Sequence, residues 1–498
     1  MLRKYTGLLF LIVLASLLNF NKSFGQGVGF KNGSEYQKLA AINNRPKIFV
    51  TEFTLPGDRK GRLKLTTTFQ IDYKSLAFKK VNRSTNKGKF YSPATVDFEV
   101  FKSSAKIIKN HHPKKGKKPR KPNIQFHPSR TFKPAPSINV NGLQSVARTT
   151  WKDTAYAANF KQTQSSHKTI SGGLQVSVKP GYYTYLLQIN KNNESKKHRP
   201  FTRSIHVSTN DQQKWGNVIL VKKVDNDQQA PRLQLMNMGK NVLYGKNFYV
   251  LIPLPAHQSN NTYQLKVDRV RRSQKDTSTI KQVFSTQISG NQIHKNIEPE
   301  LVTHVKKGVS LVLHHKTNGY NYALVEIPNH TFPDALYKLT LTNKGNSNII
   351  AQNYFQSYWR DMPTSLLNLN VAIQMLKYMV PKKTIKRINS GSVQQRKQKF
   401  NKFWKSKDPT PNTQYNELEA EYYARIDSAY KKFTTRNQLG FNSARGRVYI
   451  SYGPPSKIKR TYPTDAPTTI IWTYPSRHFV FKATSGFGDF KLVKNNKN

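Results

Sequence analysis

Hydrophobic and polar side chains alternate along most of the first 360 residues, and beyond them the apolar spacing lengthens to three and four. Residues 49–53, 63–71 and 95–101 place an apolar group at every second position, the period of a half-buried strand. Residues 173–189 hold two such runs around Pro180-Gly181, which predicts a hairpin because proline fixes one turn angle and glycine tolerates positive φ. A second set of short strands follows at 215–221, 247–253, 263–267, 308–313, 322–328 and 336–342. After Pro363, the positions Leu366, Leu367, Leu369, Val371, Ala372, Met375, Leu376 and Met379 predict one core-facing helix that Pro381 stops. A longer helix is expected over 413–433, with Leu418, Tyr422, Tyr423, Ile426, Ala429, Tyr430 and Phe433 on its buried face. Its glutamates cluster near the start and Lys431-Lys432 near the end, which suits the helix dipole. The remaining runs, 448–452, 470–474, 479–482 and 490–493, read as a small antiparallel sheet with a turn at Gly453-Pro454-Pro455.

The pattern implies a mostly β chain with a C-terminal α+β domain: two immunoglobulin-like β-sandwiches, then helices packed on an antiparallel sheet. The expected divisions are residues 26–206, interrupted by a basic loop at 102–134, then 207–355 and 356–498. Residues 1–25 differ from everything after them. Arg3 and Lys4 precede an apolar run from Leu8 to about Phe20, and Ser23-Phe24-Gly25 supplies small residues for cleavage after Gly25. This reads as a secretory signal peptide, so the protein is expected to be exported, to the periplasm or to the outer membrane or cell surface. The chain has no cysteine, which excludes disulfides and lipid attachment through a lipobox.

Charge narrows the partners. Against 82 Lys and Arg stand 25 Asp and Glu, a formal net charge of +57, so pairing cannot neutralise most of the surface. Such a field attracts polyanions. The densest run, at 110–122, contains Lys114, Lys115, Lys117, Lys118, Arg120 and Lys121 between prolines, and reads as a solvated loop able to bind phosphate or sulfate groups. Expected partners are an anionic envelope glycan, a lipid phosphate or an envelope protein, with nucleic acid less favoured by the export signal. Phe126, His127 and Phe132 are interleaved with this charge as stacking groups.

Catalytic patterns are sparse. No Gly-x-Ser-x-Gly elbow, His-Glu-x-x-His zinc helix or Gly-Lys-Ser/Thr phosphate loop occurs. His111-His112 and His314-His315 are adjacent pairs, which on a strand point to opposite faces, so neither a metal nor a cofactor is expected. Residues 485–489 read as a turn between sheet strands. The one concentration of acids, Glu417, Glu421 and Asp427 beside Arg425, Arg445 and Arg447, admits two readings. The groups pair and cap, or they serve as acid and base in a hydrolase or transferase. Glu421 and Arg425 stand one helical turn apart, the spacing of an ion pair.

Several motifs run in order through this C-terminal part. They are Trp359-Arg360-Asp361, Trp404 with Asp408-Pro409, Asn416-Glu417, Glu421 and Tyr422 to Arg425, Gly440-Phe441-Asn442-Ser443-Ala444, Arg445-Gly446-Arg447, Gly453 and Ile471 to Tyr474. In this order they resemble the GWxTD domain of exported Bacteroidetes-type envelope proteins. The resemblance implies an envelope protein without assigned chemistry, whose motif residues serve structure or partner binding. In the naming loop, Phe441 stands for the tryptophan, Ser443 for the threonine and Ala444 for the aspartate. Alanine neither accepts hydrogen bonds nor carries charge, so no acid or cation chemistry is available at Ala444, and a capping role there would be lost at about 0.5–2 kcal/mol. The preferred expectation is a non-enzymatic binding or scaffolding protein.

Overall fold

The structure is a computed structural model that describes residues 31–42, 48–85, 88–104, 138–191, 200–208, 218–226, 230–255, 262–272, 277–304, 308–345, 347–484 and 488–497. Outside them lie the expected signal peptide, the basic run from Lys114 to Lys121, His111-His112, Phe126, His127, Phe132, residues 215–217 and residues 485–487. Half of the chain is strand, and most helices follow residue 360. The described residues form two units, one within 46–359 and one joining residues 31–42 to 360–497.

The first unit begins with a sheet of β1 (Ile48–Pro56), β2 (Leu63–Asp72) and β6 (Thr169–Val178), all antiparallel. A second sheet is built on β4 (Gly88–Lys102), which pairs with β3 (Lys79–Thr85), β5 (Ser145–Ala157) and β7 (Gly181–Lys191), and β8 (Phe201–Val207) closes the far side. The alternation at 95–101 holds: Val96, Phe98 and Val100 are fully buried against Leu65, Phe69, Tyr185 and Leu187, while Thr95, Asp97 and Glu99 face outward. Gly172 of β6 lies against the Trp151 indole and the Phe69 ring, where a Cβ would come within 2.6 Å of both.

The hairpin expected over 173–189 is not one. β6 pairs with β2, and β7 pairs with β4 and β8, so Pro180-Gly181 carries the chain from one sheet to the other. Turn chemistry was legible, but the pairing partner is decided by which face each strand buries. The corner is tied by the Tyr183 hydroxyl, which donates to the Lys179 carbonyl at 2.8 Å.

The same unit continues through a closed barrel in the order β10, β16, β15, β17, β12, β9 (Arg232–Leu235, Gly308–His315, Ile293–His304, Tyr320–Ile327, Phe248–Leu254 and Ile219–Asp225). A five-stranded sheet accompanies it, ordered β11, β19, β18, β13, β14 (Asn241–Leu243, Ile349–Tyr358, Leu336–Asn343, Tyr263–Arg272 and Thr277–Gln287). β11 runs parallel to β19. Between them sits a core that includes Phe248, Val250, Leu265, Tyr337, Leu339 and Phe355. Where β17 gives way to β18, the Tyr337 hydroxyl donates to the Pro333 carbonyl at 2.7 Å, four residues back as at Tyr183. Asn237 Nδ2 donates to the Phe69 carbonyl and Gly239 N–H to Thr51 Oγ1, which binds this region to the first sheets.

The second unit contains α1 (Lys31–Ile42), α2 (Leu369–Met375), α3 (Lys382–Ile388), α4 (Val393–Lys405), α5 (Glu417–Phe433) and α6 (Ala444–Tyr452). A sheet of β20 (Lys457–Thr461), β21 (Thr469–Tyr474), β22 (Arg477–Ala483) and β23 (Phe490–Lys497) completes it. Two expectations are corrected. The single helix over 366–379 is broken at Asn368, whose extended backbone and side-chain cap on the Asn370 and Val371 N–H groups start α2 afresh. Residues 448–452 are helical, because the Ser443 hydroxyl caps α6 by accepting from Gly446 N–H and outweighs the strand preference of Val448, Tyr449 and Ile450.

Tyr337 is fully buried, so Tyr337→Phe leaves the Pro333 carbonyl without this donor. The expected loss is about 1–2 kcal/mol of unfolding free energy, measured by urea denaturation. An unchanged midpoint would remove the corner bond from the account.

Candidate functional site

Helix α5 is the axis of the C-terminal unit, and its motif residues are held from both ends. Asn416 caps it by accepting from Glu419 N–H at 3.0 Å, and the same side chain donates to the Trp404 carbonyl at 2.9 Å. Trp404 is buried among Phe400, Tyr422 and Tyr423, with ring centroids 5.6 Å from the two tyrosines. The hydroxyls of Tyr422 and Tyr423 donate to the Met375 and Ala372 carbonyls of α2, so both phenols are buried with their polar ends satisfied. Before the helix, Asp408 Oδ1 accepts from Thr410 N–H at 2.9 Å, and the Thr410 hydroxyl donates to Glu417 Oε2 at 2.6 Å across half-buried Pro409. Burial raises the Asp408 carboxyl above its ordinary value, and the Thr410 bond opposes the rise.

The charged residues expected to converge go to separate partners. Arg425 is buried, pairs with Glu421 at 2.8 Å and reaches the Ile450 carbonyl at 3.5 Å. Gly453, at φ 77°, leaves room for that guanidinium, which a Cβ would approach to 3.2 Å. Arg445 lies between the Phe433 and Phe490 rings, 5.3 and 4.2 Å from their centroids, and donates to the Gly488 carbonyl at 2.6 Å. Burial, then Arg460, lowers its pKa. Arg447 donates to the Asn442 carbonyl at 3.0 Å. Asp489, missed in the sequence, gathers Thr435, Asn437 and Gln438 and fastens the loop before Gly440.

The loop Gly440 to Ala444 is a backbone contact. A Cβ on Gly440 would fall on the Ala429 carbonyl of α5, and one on Gly446 would fall on the Gly440 carbonyl. Phe441 is buried, and the Ser443 hydroxyl donates to the Gly440 carbonyl at 2.7 Å while capping α6. Ala444 opens α6, where an acid would favour the helix dipole by about 0.3–1 kcal/mol. Cations surround this end. Lys377 Nζ and the Tyr378 hydroxyl both donate to Asn442 Oδ1, and burial, then Arg447, lowers Lys377 to about 8.

A second feature was hidden from sequence reasoning. Tyr36 of α1 enters the C-terminal unit and donates to Asp427 Oδ1 at 2.7 Å, while Oδ2 accepts from Thr364 N–H and Oγ1 at 2.9 and 3.0 Å. The Tyr36 ring meets Tyr430 and Phe441 edge-on, with centroids at 4.9 and 5.1 Å. A lone tyrosine in a polar stretch nearly 400 residues from its partner carries no periodic signal.

Among the described residues no group of three His, Asp or Glu side chains is placed to hold a metal ion. His314, exposed at the end of β16, pairs with Glu300 at 2.8 Å. No helix among the described residues is long and apolar enough to cross a membrane.

Residues 336–497 match the family model of the GWxTD domain. No curated protein matches the chain. Among solved structures, the C-terminal domain of the Streptococcus pyogenes antigen I/II-family protein AspA is similar at 12% identity, over 62% of this chain and 100% of that one, with a TM-score of 0.14. The C-terminal domain of the Streptococcus agalactiae AgI/II polypeptide BspA is similar at 10% identity, over 62% and 99%, with a TM-score of 0.13. At those TM-scores neither likeness bears on the fold.

Glu419 of α5 changes charge near neutrality. Burial, then the Asp408 carboxylate, pushes its carboxyl from 4.5 to about 8. The folded protein therefore holds this proton more tightly than the unfolded chain, and stability present at low pH is lost as pH rises from 4.5 through about 8. Glu419→Gln stays neutral and is expected to flatten that decline, matching wild type near pH ~4 and exceeding it near pH ~9 in urea unfolding. Identical pH profiles for the two proteins would contradict the shift.

Proposed function

This chain is a GWxTD domain-containing protein, and from that premise we propose a non-enzymatic exported envelope component that binds or scaffolds through its cationic surface. The ligand class is anionic: a phosphate-bearing or acidic envelope glycan, a lipopolysaccharide phosphate or an acidic protein partner. The observation that carries the reading is the distribution of charge in the folded C-terminal unit. Between Lys382 and Lys407 stand ten Lys or Arg and no Asp or Glu, and Lys382, Lys383, Lys386, Arg387, Lys402 and Lys405 are exposed on α3 and α4. The scarce acids of the same unit are occupied elsewhere: Glu421 by Arg425, Glu417 by Thr410 and Asp427 by Tyr36 and Thr364. A hydrolase or transferase needs its charged groups aimed at one reacting atom. Here Arg425, Arg445 and Arg447 are each directed to a different backbone carbonyl.

Two further parts belong to this reading. Residues 1–25 act as a cleaved signal peptide that delivers the protein to the periplasm or outer surface. The β-rich unit consists of two immunoglobulin-like sandwiches that present and space the binding surfaces. Supporting the latter are one hydrophobic core shared by the first two sheets, cross-sheet corners tied by Tyr183 and Tyr337 to carbonyls four residues upstream, and β11 lying parallel to β19.

The test is retention of purified protein on lipopolysaccharide, acidic glycan and DNA beads across a salt series. One variant replaces Lys114, Lys115, Lys117, Lys118, Arg120 and Lys121 by Ser, and a second replaces Lys382, Lys383, Lys386 and Arg387. Wild-type retention is expected to fall steeply with salt through counterion release, and each variant is expected to elute earlier. Retention that ignores salt and both variants would overturn the proposal.

A further inference from the structure

Helix α1 is attached to the C-terminal unit in an unusual way. It has 12 residues, fewer than an isolated helix needs in water, and its third position is Gly33. Among its described side chains only Tyr36 is buried, at 1% exposure, whereas Gln37, Lys38 and Ala41 face solvent and Glu35, Leu39 and Ala40 are partly covered. The helix therefore holds its shape by docking, and among its described side chains Tyr36 is the buried anchor, with Glu35 beside it bonded at the surface of the socket.

The receiving socket is assembled without α1. Asp427 is fixed by Thr364 N–H and Oγ1 on Oδ2, which aims Oδ1 at the Tyr36 hydroxyl. Tyr430 and Phe441 form aromatic walls, and Phe441 is itself set by the glycine contact that seats the 440–444 loop on α5. Beside the socket, Asn368 uses its Oδ1 to cap α2 and donates from Nδ2 to Glu35 Oε1 at 3.2 Å. Two adjacent side chains of a helix, a carboxylate and a phenol, are thus read by two different groups. Burial and the neighbouring Asp427 carboxylate push the Tyr36 phenol far above its ordinary pKa, so it stays a donor.

We propose that the C-terminal domain is a docking module for a helical segment bearing adjacent Glu and Tyr, and that residues 31–42 are its exchangeable occupant. Exchange is feasible because one described side chain of α1 is buried and a helix of 12 residues is marginal in water without its docking contacts. The phenol supplies the specificity: a phenylalanine fills the same walls but leaves Asp427 Oδ1 without this donor, which lowers affinity about tenfold.

The test uses the full chain with Tyr36→Ala, which vacates the socket, titrated with a fluorescent synthetic peptide of residues 31–42. Saturable binding is expected, about tenfold weaker for the peptide carrying Tyr36→Phe and absent for the peptide carrying Tyr36→Ala. The wild-type chain, whose own segment competes, is expected to bind the peptide more weakly than the variant. Equal behaviour of the three peptides, or no binding to a folded Tyr36→Ala chain, would overturn the proposal. Should Tyr36→Ala fail to fold, a protease site inserted at residues 43–47 of wild type decides instead. The proposal expects the cleaved N-terminal piece to remain bound and to leave only with excess peptide. Immediate loss on cleavage, or retention that no peptide excess reverses, would sink it.

Discussion

Two backbones touch where Gly440 and Gly446 meet α5 and each other, and no side chain other than hydrogen fits at either point. This steric constraint sets the position of nearly everything in the family loop. With Gly440 pressed on the Ala429 carbonyl, Phe441 points into the core and Ser443 arrives in position to cap α6. With Gly446 pressed on Gly440, α6 runs close enough to α5 for Tyr449 to pack on Phe433 and Trp472. The loop is thus a packing device before it is anything else, and the replacement of an acid by Ala444 removes charge from a helix end without removing the contact. Ser443 still supplies the cap, so the departure costs the loop little.

Electrostatics follows a division of labour. The acids of the C-terminal unit are few, and two of them are used at buried points, Asp427 under Tyr36 and Asp489 under the 435–438 loop, while exposed Glu421 pairs with buried Arg425. Buried carboxylates need such partners, since an unpaired one carries a large desolvation penalty. The bases are not matched in number, and among the described residues Arg425 is the one Lys or Arg that is buried, the others being open to screening by water and ions. This excess of bases over acids is the charge pattern on which the proposed anionic ligand rests.

The sequence carried the strands well where one face is buried, because period-two alternation is the direct signature of that burial, as at Val96, Phe98 and Val100. It failed where the answer depends on a partner distant along the chain. Pro180-Gly181 reads as a hairpin turn locally, but β6 and β7 belong to different sheets. Val448 to Tyr452 has strand-forming residues, but one serine cap and the neighbouring glycine contact make it a helix. Asn368 looked like one position in a long apolar stripe and is in fact a break, since its side chain competes for backbone N–H groups. Of the motif residues, the i to i+4 spacing of Glu421 and Arg425 announced their pair. Arg445 and Arg447 gave no hint of the carbonyls that receive them, and Tyr36 was invisible because a single anchor has no period.

The central claim is that the family loop works by close backbone packing. Gly446→Ala tests it most directly, because it adds one methyl group at the tightest point and changes no charge. Chemical unfolding followed by tryptophan fluorescence is expected to show a destabilisation of about 1–3 kcal/mol, the range for overpacked sites. An unfolding curve that coincides with wild type would contradict the claim and return the loop to the list of candidate binding elements.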